Sequence, residues 1–467
     1  MDRTERTAVL KAQLRVLATA GLIGVPVSFA AFVFLALLHR LTGFVWEDLP
    51  ERLGLGTLPW WWPAPWLAVG GLLVGIAVRY LPGRGGHVPL EGLGTEPVPP
   101  SHTPGILLAA LGGLPLGAVL GPEAPLIAVG SAAATALTHR WGPRRDTPEH
   151  AVLSAAGAAS AIAVIFGSPL IAAVFIVESA AATGHRRTRI VLPCLLASGI
   201  GALIFTGLGS WTGFEIASLA LPEISGPLEL GLTDILWTVP AAIAIAYAVK
   251  QLHRLGHWFE SHSIRRQGAA AVLAGLSVAA CAGAYALLTG RSPVEVALSG
   301  QETLADVAAE PEAWTAGALV ALLVFKGLAY GVSLAALRGG PIFPALFLGA
   351  AAGLLMSGLP GFGTVPALAA GMAAATTAIL PLPVSSAVLV TLLLGPASAS
   401  MTPIVLVAVV VAYVSEQALD RYQPSKPNRP REAAARVIAV RGVRRATRPR
   451  CRRPGRTAVR SLRPPST

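Results

Sequence analysis

Apolar segments recur from residue 16 to residue 419, separated by short breaks rich in Gly and Pro. The runs read from the chain are 16–39, 65–81, 104–120, 125–138, 150–166, 169–182, 189–208, 233–253, 268–289, 314–336, 344–357, 364–380, 384–395 and 402–418. Several fall short of the ~20 residues a helix needs to cross a bilayer. So many apolar runs with so many breakers predict interrupted membrane helices rather than a soluble core. Residues 209–231 and 291–313 carry acids, Ser, Thr and Pro, and read as solvent loops. The first apolar run is too long for a signal-peptide core. It reads as a retained span whose basic flank, residues 1–15, lies in the cytoplasm.

The breaks repeat. Gly121-Pro122-Glu123-Ala124-Pro125 is followed at Gly130 by a small-residue run. Gly340-Pro341-Ile342-Phe343-Pro344, followed by Gly349, matches its Gly and Pro positions at an offset of 219 residues. A second landmark, Pro169 to Val174, resembles Pro383 to Val388 at an offset of 214. Two landmarks in the same order predict duplicated halves, about 60–210 and 268–419. Duplicated halves with interrupted helices in matching places point to a transporter-type site at their junction.

Composition supports the membrane reading. The 467 residues are 54% hydrophobic and 13% charged, against about 25% charged in ordinary soluble chains. The net charge of +12 sits wholly in the tail: residues 421–467 hold 15 Lys or Arg and a single acid, Glu432. Without it the chain is near neutral, which gives no support to nucleic-acid binding. The tail, 420–467, reads as a solvated, disordered cytoplasmic segment drawn to anionic lipid headgroups. Cys194, Cys281 and Cys451 form no metal spacing, and no cofactor motif is present.

The candidate chemistry lies at the repeated breaks. Pro122 and Pro125 suit a break and a first helical turn, so a helix is expected to begin near Glu123. Another is expected to begin near Ile342. The first amides of each lack helical partners, and the macrodipole makes each start weakly positive. Two such ends meeting near the bilayer midplane would hold a dehydrated small anion without Lys or Arg. Glu123 is the only acid between Glu96 and Asp146. A carboxylate in such a place is a functional candidate. Ionised, it would occupy the positive end; protonated, it would leave. The competing reading is a helix-cap acid near an interface.

These segments resemble the CLC family of chloride channels and chloride/proton antiporters. Gly121 to Pro125 is similar to the family's Gly-Arg/Lys-Glu-Gly-Pro segment, which holds its gating glutamate. Gly340 to Pro344 is similar to its Gly-x-Phe-x-Pro segment. Gly85-Gly86-His87-Val88-Pro89 resembles its Gly-Ser-Gly-Ile-Pro segment. Gly167-Ser168-Pro169-Leu170, running to Glu178, resembles its Asn-Ala-Pro-Leu stretch and the acidic helix end after it. The resemblance implies an all-helical integral membrane protein with two inverted repeats of short, tilted, broken helices. It implies a homodimer in the cell membrane with both termini cytoplasmic. It implies transport of chloride or a similar small anion, gated by Glu123. The implied anion-binding positions are Gly85, Gly86, His87, Gly121, Pro122, Ala124, Gly340, Pro341, Ile342 and Phe343. Tyr422 is a candidate for the family's late tyrosine.

The chain departs from the family pattern at several of these places. Gly86 stands where the family has an anion-coordinating serine. Pro341 stands where it has a backbone donor, and proline has no N–H. Ile342 takes the place of the Phe, which follows at Phe343. Fewer donors predict weaker anion binding or altered selectivity. The family's internal proton-carrying glutamate matches Ser179, which cannot do that work. Passive anion flow is therefore expected, with the neighbouring Glu178 as a proton-transfer candidate or a plain helix-end acid. A proton-coupled antiporter and a transporter of another anion are the alternatives. An intramembrane enzyme lacks the motifs it would need. Trp60, Trp61 and Trp62 read as an interfacial cluster. Lys326 reads either as snorkelling to an interface or as raising the local anion potential.

Overall fold

The computed structural model describes residues 3–94, 96–141, 147–181, 187–212, 221, 229–263 and 267–421. Sixteen α-helices run through these residues: α1 (Arg3–Gly43), α2 (Leu49–Arg52), α3 (Pro63–Tyr80), α4 (Thr103–Gly113), α5 (Glu123–Trp141), α6 (Pro148–Phe166), α7 (Pro169–Ala181), α8 (Arg187–Thr212), α9 (Leu232–Ser263), α10 (Gln267–Thr289), α11 (Gln301–Ala309), α12 (Ala316–Ala336), α13 (Ile342–Met356), α14 (Thr364–Ile379), α15 (Pro383–Leu393) and α16 (Ser398–Arg421). The extended chain among the described residues contributes one antiparallel bridge, between Gly121 and Gly340. The compact unit that carries the fold ends at Ala418.

Proline sets many of the starts. α3, α4, α6, α7 and α15 each have Pro in the first or second position, where its missing N–H costs no helical bond. Eight helical stretches among the described residues are long and apolar enough to cross a membrane; they include α1, α3, α6, α8, α9, α10, α12 and α16. The apolar stretches of α5, α7, α13, α14 and α15 are only 10–17 residues long. Two of these short helices, α13 and α14, lie deep in the protein. Every residue of α14 from Val365 to Ile379 is buried, and α13 is buried over Ile342–Ala351. Helices apolar all round belong at the centre. Leu22, Phe29, Leu203, Leu236 and Val410 on α1, α8, α9 and α16 are exposed, as a lipid-facing ring requires.

The sequence repeat is visible in the packing. α5 crosses α6 where Gly130 meets Gly157, and α13 crosses α14 where Gly349 meets Gly371. In each pair a Cβ on either glycine would strike the other's carbonyl group. Gly130 and Gly349 are 219 residues apart, and Gly157 and Gly371 are 214 apart. The two offsets of the sequence landmarks are thus the offsets of two equivalent helix crossings.

Three expectations about local structure change. The run 104–120 is not one helix: α4 stops at Gly113, before Pro115 and the left-handed Gly117 (φ 112°). Residues 291–313 are not a plain solvent loop. They hold α11, whose Thr303, Leu304, Val307 and Ala308 recur at helical spacing and are buried. The polar N-terminal segment is continuous with the first span in α1. Of the tryptophan cluster, Trp60 and Trp61 are exposed, while Trp62 is buried and donates to the Val45 carbonyl at 3.2 Å.

The crossings predict a stability effect. Gly371→Val should destabilise the protein by about 2 kcal/mol or more, because backbone cannot yield as a side chain can. Gly207 on α8 has open space around it, so Gly207→Val should leave the melting temperature near that of the parent. Thermal unfolding followed by size-exclusion profile would show the difference. Equal melting for both variants would contradict the crossing geometry.

Candidate anion-binding site

The two breaks meet. Gly121 N–H donates to the Gly340 carbonyl at 2.7 Å, and Gly340 N–H donates to the Gly121 carbonyl at 2.6 Å. This reciprocal pair sets the starts of α5 and α13 side by side. Helices begin at Glu123 and Ile342, where the Gly-Pro breaks place them. A side chain at Gly121 or at Gly340 would occupy the place of the Glu123 carboxylate, so both positions need glycine.

Glu123 is fully buried. Its Oε1 accepts the Phe343 N–H at 2.9 Å, across the junction of the halves. The amides of Ile342 and of Glu123 itself also lie within electrostatic reach of the carboxylate. Oε2 is buried and has no hydrogen-bond partner among the described residues. The Glu123 carboxyl group therefore sits on the positive start of α13. The Phe343 ring is buried and meets Phe166, at the end of α6, with centroids 5.7 Å apart. Pro341 supplies no donor, but its carbonyl accepts the Tyr330 hydroxyl at 2.6 Å. Ala124 follows in the first turn of α5, where helical amides lack partners.

Gly121, Pro122, Glu123, Ala124, Gly340, Pro341, Ile342 and Phe343 thus form one locus. The Gly85–Gly86 loop reaches it less directly. Gly83, Arg84, Gly85 and Gly86 all have positive φ (75°, 49°, 74° and 97°), and three of the four are glycine, which adopts such angles without strain. Arg338, two residues before Gly340, packs its stem against Gly85 and donates from Nε to the Arg84 carbonyl at 3.3 Å. His87 turns its ring onto Gly94; its Nε2 is buried and unpartnered among the described residues. Tyr422 and the basic tail lie outside the described residues.

Glu178 has a different setting. Its Oε1 accepts the Val384 N–H at 2.9 Å. Its Oε2 accepts the Ser385 N–H at 2.7 Å and the Ser385 hydroxyl at 2.6 Å. The carboxylate at the end of α7 thereby caps the start of α15, joining the two matched landmarks. Asp234, 5% exposed at the start of α9, does similar work. It accepts the Gly363 N–H at 2.8 Å, at the start of α14, and the Gly231 N–H at 2.7 Å.

Lys326 does not snorkel. It is fully buried, and Nζ donates to the carbonyls of Glu295, Val296, Ala297 and Leu298 at 3.0, 3.2, 3.3 and 3.2 Å. Its ammonium lies 4.8 Å from the centre of the Phe347 ring on α13. It clamps residues 295–298, a segment that also reaches Gly117 through the Leu298 N–H at 3.2 Å.

Sequence reading missed Tyr330, Phe166 and Arg338. Tyr330 carried one signal, a hydroxyl in a helix otherwise apolar around it. Arg338 carried another, a charge directly before Gly339-Gly340. Phe166 carried none, because its contact with Phe343 is long-range.

The family described as voltage gated chloride channel matches residues 70–417. A protein of Escherichia fergusonii named "Putative ion-transport protein YfeO" is 31% identical over 335 residues, 69% of this chain and 74% of that protein. Its counterpart in Escherichia coli K12 is 30% identical over the same length. Among solved structures, a slow cyanobacterial Cl−/H+ antiporter aligns with a TM-score of 0.68 at 18% identity, covering 93% of this chain and 99% of that one. A CLC-type fluoride/proton antiporter aligns with a TM-score of 0.66 at 17% identity, covering 89% and 97%. At those identities the structures speak for the fold alone: an all-helical CLC fold. The family match covers both breaks and nearly all the helices around them, and the chain is a multi-pass membrane protein belonging to the voltage-gated chloride channel family.

Proposed function

We propose that the chain moves small inorganic anions, chloride first, through the junction of α5 and α13, with Glu123 as the gate. The supporting observation is a difference among three carboxylates. Glu178 and Asp234 each engage both oxygens with backbone donors at a helix start. Glu123 engages one oxygen with Phe343 and leaves the other buried without a partner among the described residues. A structural cap is fully satisfied, because an unsatisfied buried acceptor is costly. A carboxylate held by one bond at a positive helix start is a stand-in for a ligand of the same charge. Once protonated, it loses its attraction for those amides, and an anion takes its place.

Passive flow is the reading the geometry favours. The two oxygens of Glu178 accept three donors at the start of α15, the work of a helix cap, which supports passive flow over a proton-carrying role. Coupled exchange is the second reading. It draws on Glu123 itself, which can carry a proton, and on the solved relatives named as chloride/proton and fluoride/proton antiporters. The homodimer, the plasma-membrane location with both termini cytoplasmic, and the attraction of the basic tail to anionic headgroups belong to the same proposal. So do the supporting roles of Gly85, Gly86, His87 and Tyr422.

Reconstituted efflux with simultaneous pH recording tests this. Glu123→Gln, the neutral isostere, should raise chloride efflux over the parent at neutral pH. Parent efflux should rise as pH falls, because protonation frees the gate, whereas Glu123→Gln efflux should stay flat with pH. Failure of both proteins to pass any anion would end the transport proposal. Glu178→Gln should lower thermal stability yet keep anion flux and its pH dependence. A chloride gradient that drives proton uptake in the parent, and no longer does so in Glu178→Gln, would instead establish coupled exchange.

A further inference from the structure

Arg338 is a buried cation with donors to spare. The residue is 8% exposed. Nε donates to the Arg84 carbonyl at 3.3 Å and Nη1 to the Leu337 carbonyl at 3.0 Å. A guanidinium has five N–H donors in a planar fork, and both acceptors here are neutral. Among the described residues no carboxylate forms an ion pair with it. The exposed Glu91, on the turn after the Gly85 loop, is the acid whose field reaches it. Lys326, the other deeply buried cation of this half, is wrapped by four carbonyls and an aromatic ring.

Its position gives the leftover charge a use. Arg338 lies on the approach to the second break, two residues before Gly340. Its Cγ sits 3.4 Å from where a Cβ on Gly85 would lie, so the missing side chain there is the room the arginine takes. The amides of His87 and Val88, next along that loop, donate to no acceptor among the described residues. A buried charge without a counter-charge is strongly unfavourable unless something supplies one. Among the described residues only the exposed Glu91 does so, through its field and without an ion pair. The same neighbourhood lacks a hydroxyl at Gly86 and an amide hydrogen at Pro341.

We propose that Arg338 coordinates the transported anion beside the Gly85–Val88 loop, and that its fork favours planar oxyanions of the nitrate type over halides. This rests on the transport reading above. A guanidinium matches an oxyanion with two parallel N–H bonds, whereas a spherical halide takes no benefit from the fork. The arginine would thus replace the missing donors with charge and change which anion is preferred.

The test uses Glu123→Gln protein, in which the gate is open, with and without a second change. In Arg338→Met the nitrate concentration for half-maximal flux should rise about tenfold, the loss of one charge-assisted contact, and chloride should change less. Arg338→Lys should recover chloride flux but not the nitrate preference. A residue that merely staples the loop to Arg84 would lower both fluxes together, and an unchanged nitrate-to-chloride ratio in Arg338→Met overturns the proposal. Bromide density, read by anomalous scattering from Glu123→Gln crystals with Arg338 intact, gives an answer that does not depend on the variants folding. A bromide at ion-pair distance from the guanidinium supports the site even if flux fails for other reasons. Bromide at the α5–α13 junction with none near Arg338, together with an unchanged nitrate-to-chloride ratio in Arg338→Met, refutes it while leaving the transport proposal standing.

Discussion

A helix that starts inside a protein, away from bulk water, exposes amides that nothing in the helix can satisfy. In this chain three successive short helices of the second half each receive at their start a carboxylate from elsewhere in the chain. Glu123 reaches the start of α13, Asp234 the start of α14 and Glu178 the start of α15. Two of the three, Glu123 and Glu178, come from the first half. The halves are therefore tied together by negative side chains on positive helix ends. In the proposed function the same attraction holds a foreign anion where the tie is incomplete.

The tie is incomplete at Glu123. Its neighbours on every side fix the geometry: the Gly121–Gly340 bridge, the Tyr330 bond to the Pro341 carbonyl and the Phe166–Phe343 contact. Around them the glycine crossings let α5, α6, α13 and α14 approach with backbones touching. Such packing makes the junction stiff, while the one free carboxylate oxygen leaves it chemically unsatisfied. In the proposed function this junction is the cradle in which a transported anion replaces the Glu123 carboxylate.

Legibility in the sequence followed the range of the interaction. The starts at Glu123 and Ile342 could be read because Gly-Pro breaks act locally and because the repeat supplied a second copy to compare. The long spans were readable from apolar length. The end of α4 at Gly113 was missed, since nothing local distinguishes Gly117, which turns, from other glycines of the same run. α11 was missed because its polar residues hid a buried face of four. The roles of Asp234, Lys326 and Arg338 rest on partners 28 to 254 residues away in the chain, and no local pattern encodes such pairings. The reading of Lys326 as a snorkelling side chain failed for that reason: its carbonyl partners are assembled only in the fold.

The central claim is that the Glu123 carboxylate and a transported anion compete for one set of amides at the start of α13. Equilibrium titration of chloride into detergent-solubilised parent and Glu123→Gln proteins measures that competition without any flux. The account predicts chloride heat at one more site, or markedly tighter binding, in Glu123→Gln than in the parent at neutral pH, with the gap closing as the parent is acidified. Identical chloride binding in the two proteins across that pH range would contradict it.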